Sequence, residues 1–294
     1  MWQARQVAAA LKKNQWPVEL VPIKSPADLD LKTPLHQFGE TGIFTKMLDV
    51  ALWEDQIDLA VHSLKDYPTT LPEDLQLSAV LPRGPYRDVL IPGKAFTPDF
   101  WQNPPRQATV ATGSIRRIAQ WKHRFPRHQT APLRGNVQTR LRKLEASSWH
   151  GAIFAQAGLK RVELLPDNHQ ILDWMIPAPA QGVVGIVNRR QDTTLSEALA
   201  AIDHQETAFR SQAERTFLNR VEGGCSAPVG ALALRRKKKL YLEAAVFDLD
   251  GSKRFYAQGE APLEKAKNLG EDLAQQVLDQ GAWAVMEKIK NNAS

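Results

Sequence analysis

The stretch Ile57-Asp58-Leu59-Ala60-Val61-His62-Ser63-Leu64-Lys65-Asp66-Tyr67-Pro68 decides how the chain is read. Its first half is apolar enough for a strand covered on both faces of a sheet, and Pro68 ends any regular ladder. A buried strand that delivers a lysine and a carboxylate to its carboxyl end is how α/β folds build their sites. A solvated Lys-Asp pair at a strand exit is the plain alternative, and the dipeptide taken alone favours it.

Upstream of this stretch, residues 1–13 read as an amphipathic helix rather than a signal peptide. Residues 17–23 alternate as a strand, and residues 42–53 have helical spacing. Downstream, residues 75–81 and 88–91 are strands, with Pro82-Arg83-Gly84-Pro85 as a crossing between lobes. A second α/β alternation follows. Residues 108–112 form a strand, with Ser114 as N-cap of the helix carrying Arg116 and Arg117. Ala131-Pro132-Leu133-Arg134 is a strand end, and Gly135-Asn136 opens a helix over 137–145. Residues 151–155 are a strand, 157–161 begin a helix, and 183–187 return to the first lobe. From about Ile202 the pattern becomes a helix through Leu218, a loop at Gly223-Gly224-Cys225, three alternating strands and a long final helix. The expected fold is therefore α/β with a C-terminal α+β domain. Residues 1–84 with 183–201 make the first lobe, 88–180 the second, and 204–294 the domain carrying Cys225.

At 294 residues the chain exceeds one ordinary core, and 43% hydrophobic with 24% charged residues is a globular balance. No apolar run approaches the ~18 residues of a membrane span. The single cysteine excludes an internal disulfide and points to a reducing, cytoplasmic compartment. Charge is unevenly placed. Residues 106–161 carry nine Arg and three Lys against one acid, a net +11, while the whole chain is +6. One lobe is thus expected to handle a polyanion, either nucleic acid or a small molecule bearing several carboxylates.

Two strand-to-helix junctions present the same groups. Thr112-Gly113-Ser114-Ile115-Arg116-Arg117 and Leu133-Arg134-Gly135-Asn136-Val137-Gln138-Thr139-Arg140 set hydroxyls and guanidinium groups about helix N-termini. Free N–H groups and the helix dipole favour anions there, and arginine matches a carboxylate with two parallel bonds. Lys160-Arg161 is a third such junction. Aromatics are not interleaved with these bases, which disfavours single-stranded nucleic acid. Cys225, flanked by glycines and bounded by Pro228, suits an accessible, reactive or modified thiol better than a buried one. With no second Cys or spaced His cluster, metal binding is not expected.

Together these residues resemble a family. His62-Ser63-Leu64-Lys65-Asp66, Ser114-Ile115-Arg116-Arg117, Leu133-Arg134-Gly135-Asn136, Ala157-Gly158-Leu159-Lys160-Arg161, Pro179-Ala180-Gln181-Gly182 and Glu222-Gly223-Gly224-Cys225 look like hydroxymethylbilane synthase (porphobilinogen deaminase), in that family's order. The resemblance implies two periplasmic-binding-protein-like α/β lobes plus a C-terminal α+β domain, with the active cleft between the lobes. It implies a transferase of porphyrin (heme) biosynthesis that joins four porphobilinogens head to tail with loss of ammonia. It also implies a dipyrromethane cofactor bonded through sulfur to Cys225. Asp66 matches the family's catalytic aspartate. Lys65, Thr112, Ser114, Arg116, Arg117, Arg134, Arg140 and Gly158 match cofactor contacts, and Gln3, Phe44 and Arg161 match substrate contacts. A monomer acting on porphobilinogen, without nucleic acid or membrane, is the partner set implied. The family also has a strand and an Arg-x-Ser-x-Leu loop ahead of the Trp-Gln-Ala found here at Trp2-Gln3-Ala4, so the first sheet is expected to lack a strand and to expose an edge. Thr41 stands where many members have lysine, and Lys24-Ser25-Pro26-Ala27-Asp28 follows the family's loop loosely. A two-lobed protein binding an anionic solute without catalysis is the rival reading.

Overall fold

Leu59–Ser63, the heart of the quoted stretch, forms strand β1, with Ala60 and His62 buried on one face and Leu59 and Val61 half-buried on the other. The structure is a computed structural model describing residues 1–23, 43–222 and 227–293, with the side chains of 43, 44, 292 and 293 left aside. Helix α1 (Trp2–Lys13) and helix α2 (Ile43–Trp53) precede β1, and β2 (Leu75–Val80) follows it. The chain then crosses to a second lobe. There β3 (Asp88–Pro92), β4 (Thr109–Ala111), α3 (Ile115–Arg124), β5 (Gln129–Ala131) and α4 (Val137–Ala146) come in turn. They are followed by β6 (Gly151–Ala155), α5 (Gln156–Arg161) and the short β7 (Gln170–Ile171), which the sequence pattern does not announce. Strand β8 (Val184–Arg189) returns to the first lobe.

In the first sheet β8 lies between β1 and β2 and is antiparallel to both. Val7 and Leu11 of α1 pack on one face with Ile186, while Ala51 and Leu52 of α2 pack on the other with Ala60. In the second sheet β4 runs parallel to β5 and β6, and β3 is antiparallel to β6 and β7. One of its faces carries α4 and α5 through Leu144 and Leu159, and the other carries Trp121 of α3. The crossing segments touch: the Gly84 N–H donates to Gly182 O at 2.9 Å. Gly182 has φ +85°, and a Cβ there would lie 2.8 Å from Pro85 O, so glycine is required on both counts.

Helices α6 (Thr193–Ala200) and α7 (Gln205–Arg220) lead into a third unit. Its antiparallel sheet is β9 (Val229–Arg236), β10 (Lys239–Phe247) and β11 (Arg254–Pro262), with β10 central. Phe217 of α7 packs against this sheet together with Leu269 and Leu273 of α8 (Ala266–Val277). The topology is thus two α/β lobes sharing two crossings, followed by an α+β unit.

Three local expectations are corrected. Residues 17–23 are irregular rather than a strand. Pro17 and Pro22 supply no N–H, and β1 has no ladder neighbour on its outer edge among the described residues. The long final helix is two helices, α8 and α9 (Trp283–Ala293), because Gly281 at φ +104° breaks the run between them. Ser114 occupies the N-cap of α3, but its side chain makes no capping bond.

Candidate functional site

Lys65 and Asp66 complete a three-residue 3-10 turn, Leu64–Asp66, directly after β1. Leu64 is fully buried, and its N–H donates to Val183 O at 3.0 Å, which pins the turn at its base. Asp66 is exposed beyond it. Burial pushes the Lys65 ammonium below the usual lysine range; Asp66 and Asp88 oppose that shift, while Arg116 and Arg117 reinforce it. Lys65 therefore lies in the field of the second lobe's groups. Asp66 likewise acts on Arg161, whose own pKa burial lowers. Gln3 donates from Nε2 to Ser63 Oγ at 2.8 Å, and the Arg161 guanidinium lies 5.6 Å from the Trp2 ring centroid. The start of α1 thus contacts both walls of the cleft.

The two arginines at the head of α3 are buried, and each meets Asp88. Arg116 donates from Nη1 to Asp88 Oδ2 at 2.7 Å and to Ile176 O at 2.8 Å. Arg117 donates from Nη2 to Asp88 Oδ1 at 2.8 Å and from Nη1 to Ile153 O at 3.1 Å. Gln181 Nε2 adds a third donor to Asp88 Oδ1 at 3.0 Å. Burial alone would raise the pKa of Asp88, but Arg116 and Arg117 outweigh it and hold the carboxyl well below the usual range. The family resemblance assigns these arginines to a ligand, whereas here they bond an internal carboxylate. One negative charge faces two guanidinium groups, with Lys65 close by and Arg140 also acting on Arg117. Positive charge is in surplus, in a place partly stripped of water.

The other strand ends add to this. Thr112 is buried and spends its Oγ1 on the Ser114 N–H at 3.3 Å, fixing the turn after β4, while Ser114 itself is half-buried. Asn136 caps α4 by accepting from the Thr139 N–H at 2.9 Å. Arg140 folds back, its Nε donating to Gly135 O at 2.6 Å, and burial lowers its pKa. Arg134 is exposed on the same turn, and its carbonyl accepts from Lys143 Nζ at 3.1 Å. In α5, a Cβ built on Gly158 would meet nothing within 4 Å. Arg161 Nε is buried with no hydrogen-bond partner among the described residues. Phe44 falls in the first turn of α2 with its side chain outside the described residues, as are Cys225, Thr41 and residues 24–28.

The structure brings Gln3, Lys65, Asp66, Arg116, Arg117, Arg140 and Arg161 into one neighbourhood. A group carrying several carboxylates fits it: the surplus cations, the orphaned Arg161 Nε and the open space at Gly158 all suit an anionic ligand. Among the described residues, no group of His, Cys, Asp and Glu side chains could hold a metal ion, and no helix is long and apolar enough to cross a membrane.

Sequence reasoning passed over Asp88, Arg83, Glu214 and Arg215. Glu214 is fully buried and accepts from Arg83 Nη1 at 2.5 Å, the Ala180 N–H at 2.6 Å and the Ala233 N–H at 2.7 Å. It joins both crossing segments to α7 and β9. The signal was present: Asp88 opens an apolar run, and Glu214-Arg215 interrupt the stripe from Ala213 to Leu218. Charges at core positions are costly unless paired.

Comparison with known proteins bears on this site. Residues 1–197 match the family described as porphobilinogen deaminase, dipyromethane cofactor binding domain, and residues 208–279 match porphobilinogen deaminase, C-terminal domain. The chain is 38% identical over 298 residues to the porphobilinogen deaminase of Carboxydothermus hydrogenoformans, covering 100% of this chain and 95% of that one. It is 41% identical over 273 residues to that of Desulforudis audaxviator, covering 92% and 87%. Among solved structures, a Bordetella pertussis BvgS VFT2 domain overlays at TM-score 0.39 and 13% identity, over 70% of this chain and 81% of that one.

Proposed function

The chain belongs to the porphobilinogen deaminase family, and we propose which of its residues carry that family's reaction and how. The activity is that of a transferase, hydroxymethylbilane synthase: four porphobilinogens are joined head to tail with release of ammonia, in porphyrin (heme) biosynthesis. The dipyrromethane group of the family, attached through sulfur at Cys225, supplies the pyrrole to which new units are added.

The observation that carries the assignment is the surplus of desolvated positive charge at the cleft. Arg116 and Arg117 share the single carboxylate of Asp88, and the half-buried Lys65 ammonium lies in their field with Asp66 beside it. Each porphobilinogen brings an acetate and a propionate, so a growing product accumulates the charge this wall lacks. Arg140 and Arg161 extend the positive wall, and Arg134, Thr112 and Ser114 border it at the strand ends. The open space at Gly158 gives the ligand room. Gln3 and Phe44 are assigned to the incoming substrate in this reading.

Asp66 is the acid of the site. Its carboxylate accepts hydrogen bonds from pyrrole N–H groups, stabilises the positive charge that develops as ammonia departs, and takes up the proton released when the new carbon–carbon bond forms. Action as a monomer is part of this reading, and the lone cysteine suits a reducing cytoplasm.

Intact-protein mass tests the reading. Chain produced with porphobilinogen available carries added mass at Cys225 and converts porphobilinogen to a linear tetrapyrrole with four ammonia molecules released. An unmodified Cys225 together with reversible ligand binding would replace it with the solute-binding reading.

A further inference from the structure

Arg215 lies on α7, in the C-terminal unit, yet its guanidinium reaches the turn that presents Asp66. Nη1 donates to Leu64 O at 3.1 Å and to Tyr67 O at 2.9 Å, and Nη2 donates to Pro68 O at 2.6 Å. Three carbonyls that follow β1, beyond the end of its ladder, are thus gathered by one planar fork. The side chain is nine-tenths buried. One helical turn further on, Asn219 Nδ2 donates to Thr69 Oγ1 and Thr70 Oγ1, both at 3.1 Å, so a single face of α7 holds residues 64–70. From the other side Tyr67 is fixed by its hydroxyl, which donates to Asp49 Oδ1 at 3.1 Å, and by its ring, 4.3 Å from that of His62. Leu64 and Tyr67 are buried on either side of Lys65 and Asp66.

The same helix ends at Arg220, five residues before Cys225. One helix therefore grips the acidic turn and, in sequence, closely precedes Cys225. We propose that Arg215 is a positioning residue for Asp66, fixing the turn from which the acid is presented. This rests on the assignment of Asp66 as the proton-moving group. Lysine cannot stand in for arginine here, because a point charge on a flexible stem does not span three carbonyls held in fixed directions. Misplacement of a reacting group by about 1 Å costs on the order of 100-fold in rate.

The test is a double-mutant cycle on full-length chain loaded at Cys225, with loading checked by mass. Wild type must first convert porphobilinogen; if it does not, the assignment of the reaction fails and the variants are not reached. Arg215→Lys and Arg215→Gln are then expected to lower kcat roughly 10- to 100-fold with KM changed less than about twofold. In an Asp66→Asn background the same substitutions should cost less than about twofold, because a residue acting only through Asp66 has nothing left to position. Full additivity in that background overturns the proposal, as does wild-type kcat in both Arg215 variants. Failure of both variants to fold or to load Cys225 overturns it too, since Arg215 would then serve assembly rather than the acid's placement.

Discussion

In both α/β lobes a buried strand runs to the cleft beside a strand that has crossed from the other lobe: β1 lies against β8, and β6 lies against β3. On its second edge β6 has a parallel neighbour, β4, whereas β1 has none among the described residues. The groups delivered also differ. The second lobe brings guanidinium groups from the first turns of α3 and α4 and from the last residue of α5, and it neutralises part of that charge internally with Asp88. Lys160-Arg161 close α5, whereas the sequence suggested that they stand at its start. The first lobe brings Lys65 and one exposed carboxylate on a turn pinned at its base within the lobe and gripped from outside by Arg215 of the C-terminal unit. The cationic wall is a property of its own lobe, while the acid's position depends on the whole assembly. Such a division lets an anionic product be bound by one wall and acted on from the other.

Breaking the acid should have the largest effect. Asp66→Asn keeps the size of the side chain and the cationic wall, so Cys225 still loads, while turnover from porphobilinogen falls by roughly 10²- to 10⁴-fold. Near-normal turnover would remove Asp66 from the chemistry and erase the contrast between the lobes.

Breaking the internal neutralisation comes next. Asp88→Ala leaves two buried guanidinium groups without their carboxylate, and denaturant unfolding should show a loss of about 3–5 kcal/mol. A much smaller loss would mean that both arginines swing freely into the cleft.

Acid sharpens the comparison, because His62 in the first lobe and Asp88 in the second answer to it over different ranges. His62, buried in the first lobe, has its pKa pushed from 6.5 down to about 4 by burial. The unfolded chain accepts a proton there that the folded chain refuses. Its contribution is therefore full above pH 6.5 and is lost as the pH falls toward 4, by up to about 3 kcal/mol. Asp88 is held below the ordinary carboxylate range, so its contribution is present above pH ~4 and is lost only as the pH falls further. Thermal unfolding of His62→Leu should show a weaker pH dependence between 6.5 and 4, the remainder coming from His128 and His150, whose pKa burial also lowers, and should keep the steeper loss below it. An unchanged profile would place the first lobe's acid sensitivity elsewhere.

Gly158→Ala carries the smallest stability effect. Its Cβ meets nothing within 4 Å, and removing a glycine from a helix favours folding by up to about 1 kcal/mol. Conversion of porphobilinogen should nevertheless fall, because the methyl group enters space reserved for ligand. Undiminished activity would take α5 out of the binding wall.

Most of the fold's alternation was legible because each core strand is a short apolar run punctuated by Gly or Pro, as Gly151-Ala152-Ile153-Phe154-Ala155 shows. Residues 17–23 misled for a physical reason: period-two alternation marks a segment able to pair, and pairing needs a partner edge. Gly281 was underweighted, since a lone glycine in a helical pattern does not declare a left-handed φ. At the site, the residue types and their strand-end positions were readable, as was the basic second lobe.

The amino-acid sequence by itself determined the cast: an acid and a lysine after one buried strand, arginines at the heads of helices, a thiol in a glycine loop, and the family to which they point. Only the tertiary structure decided that Arg116 and Arg117 share Asp88, that Glu214 ties the crossings together, and that Arg215 grips the acidic turn. Those pairings span 28, 29, 131 and up to 151 residues of chain. A buried charge is tolerable only beside its partner, and no local pattern along the chain says which distant residue that partner is.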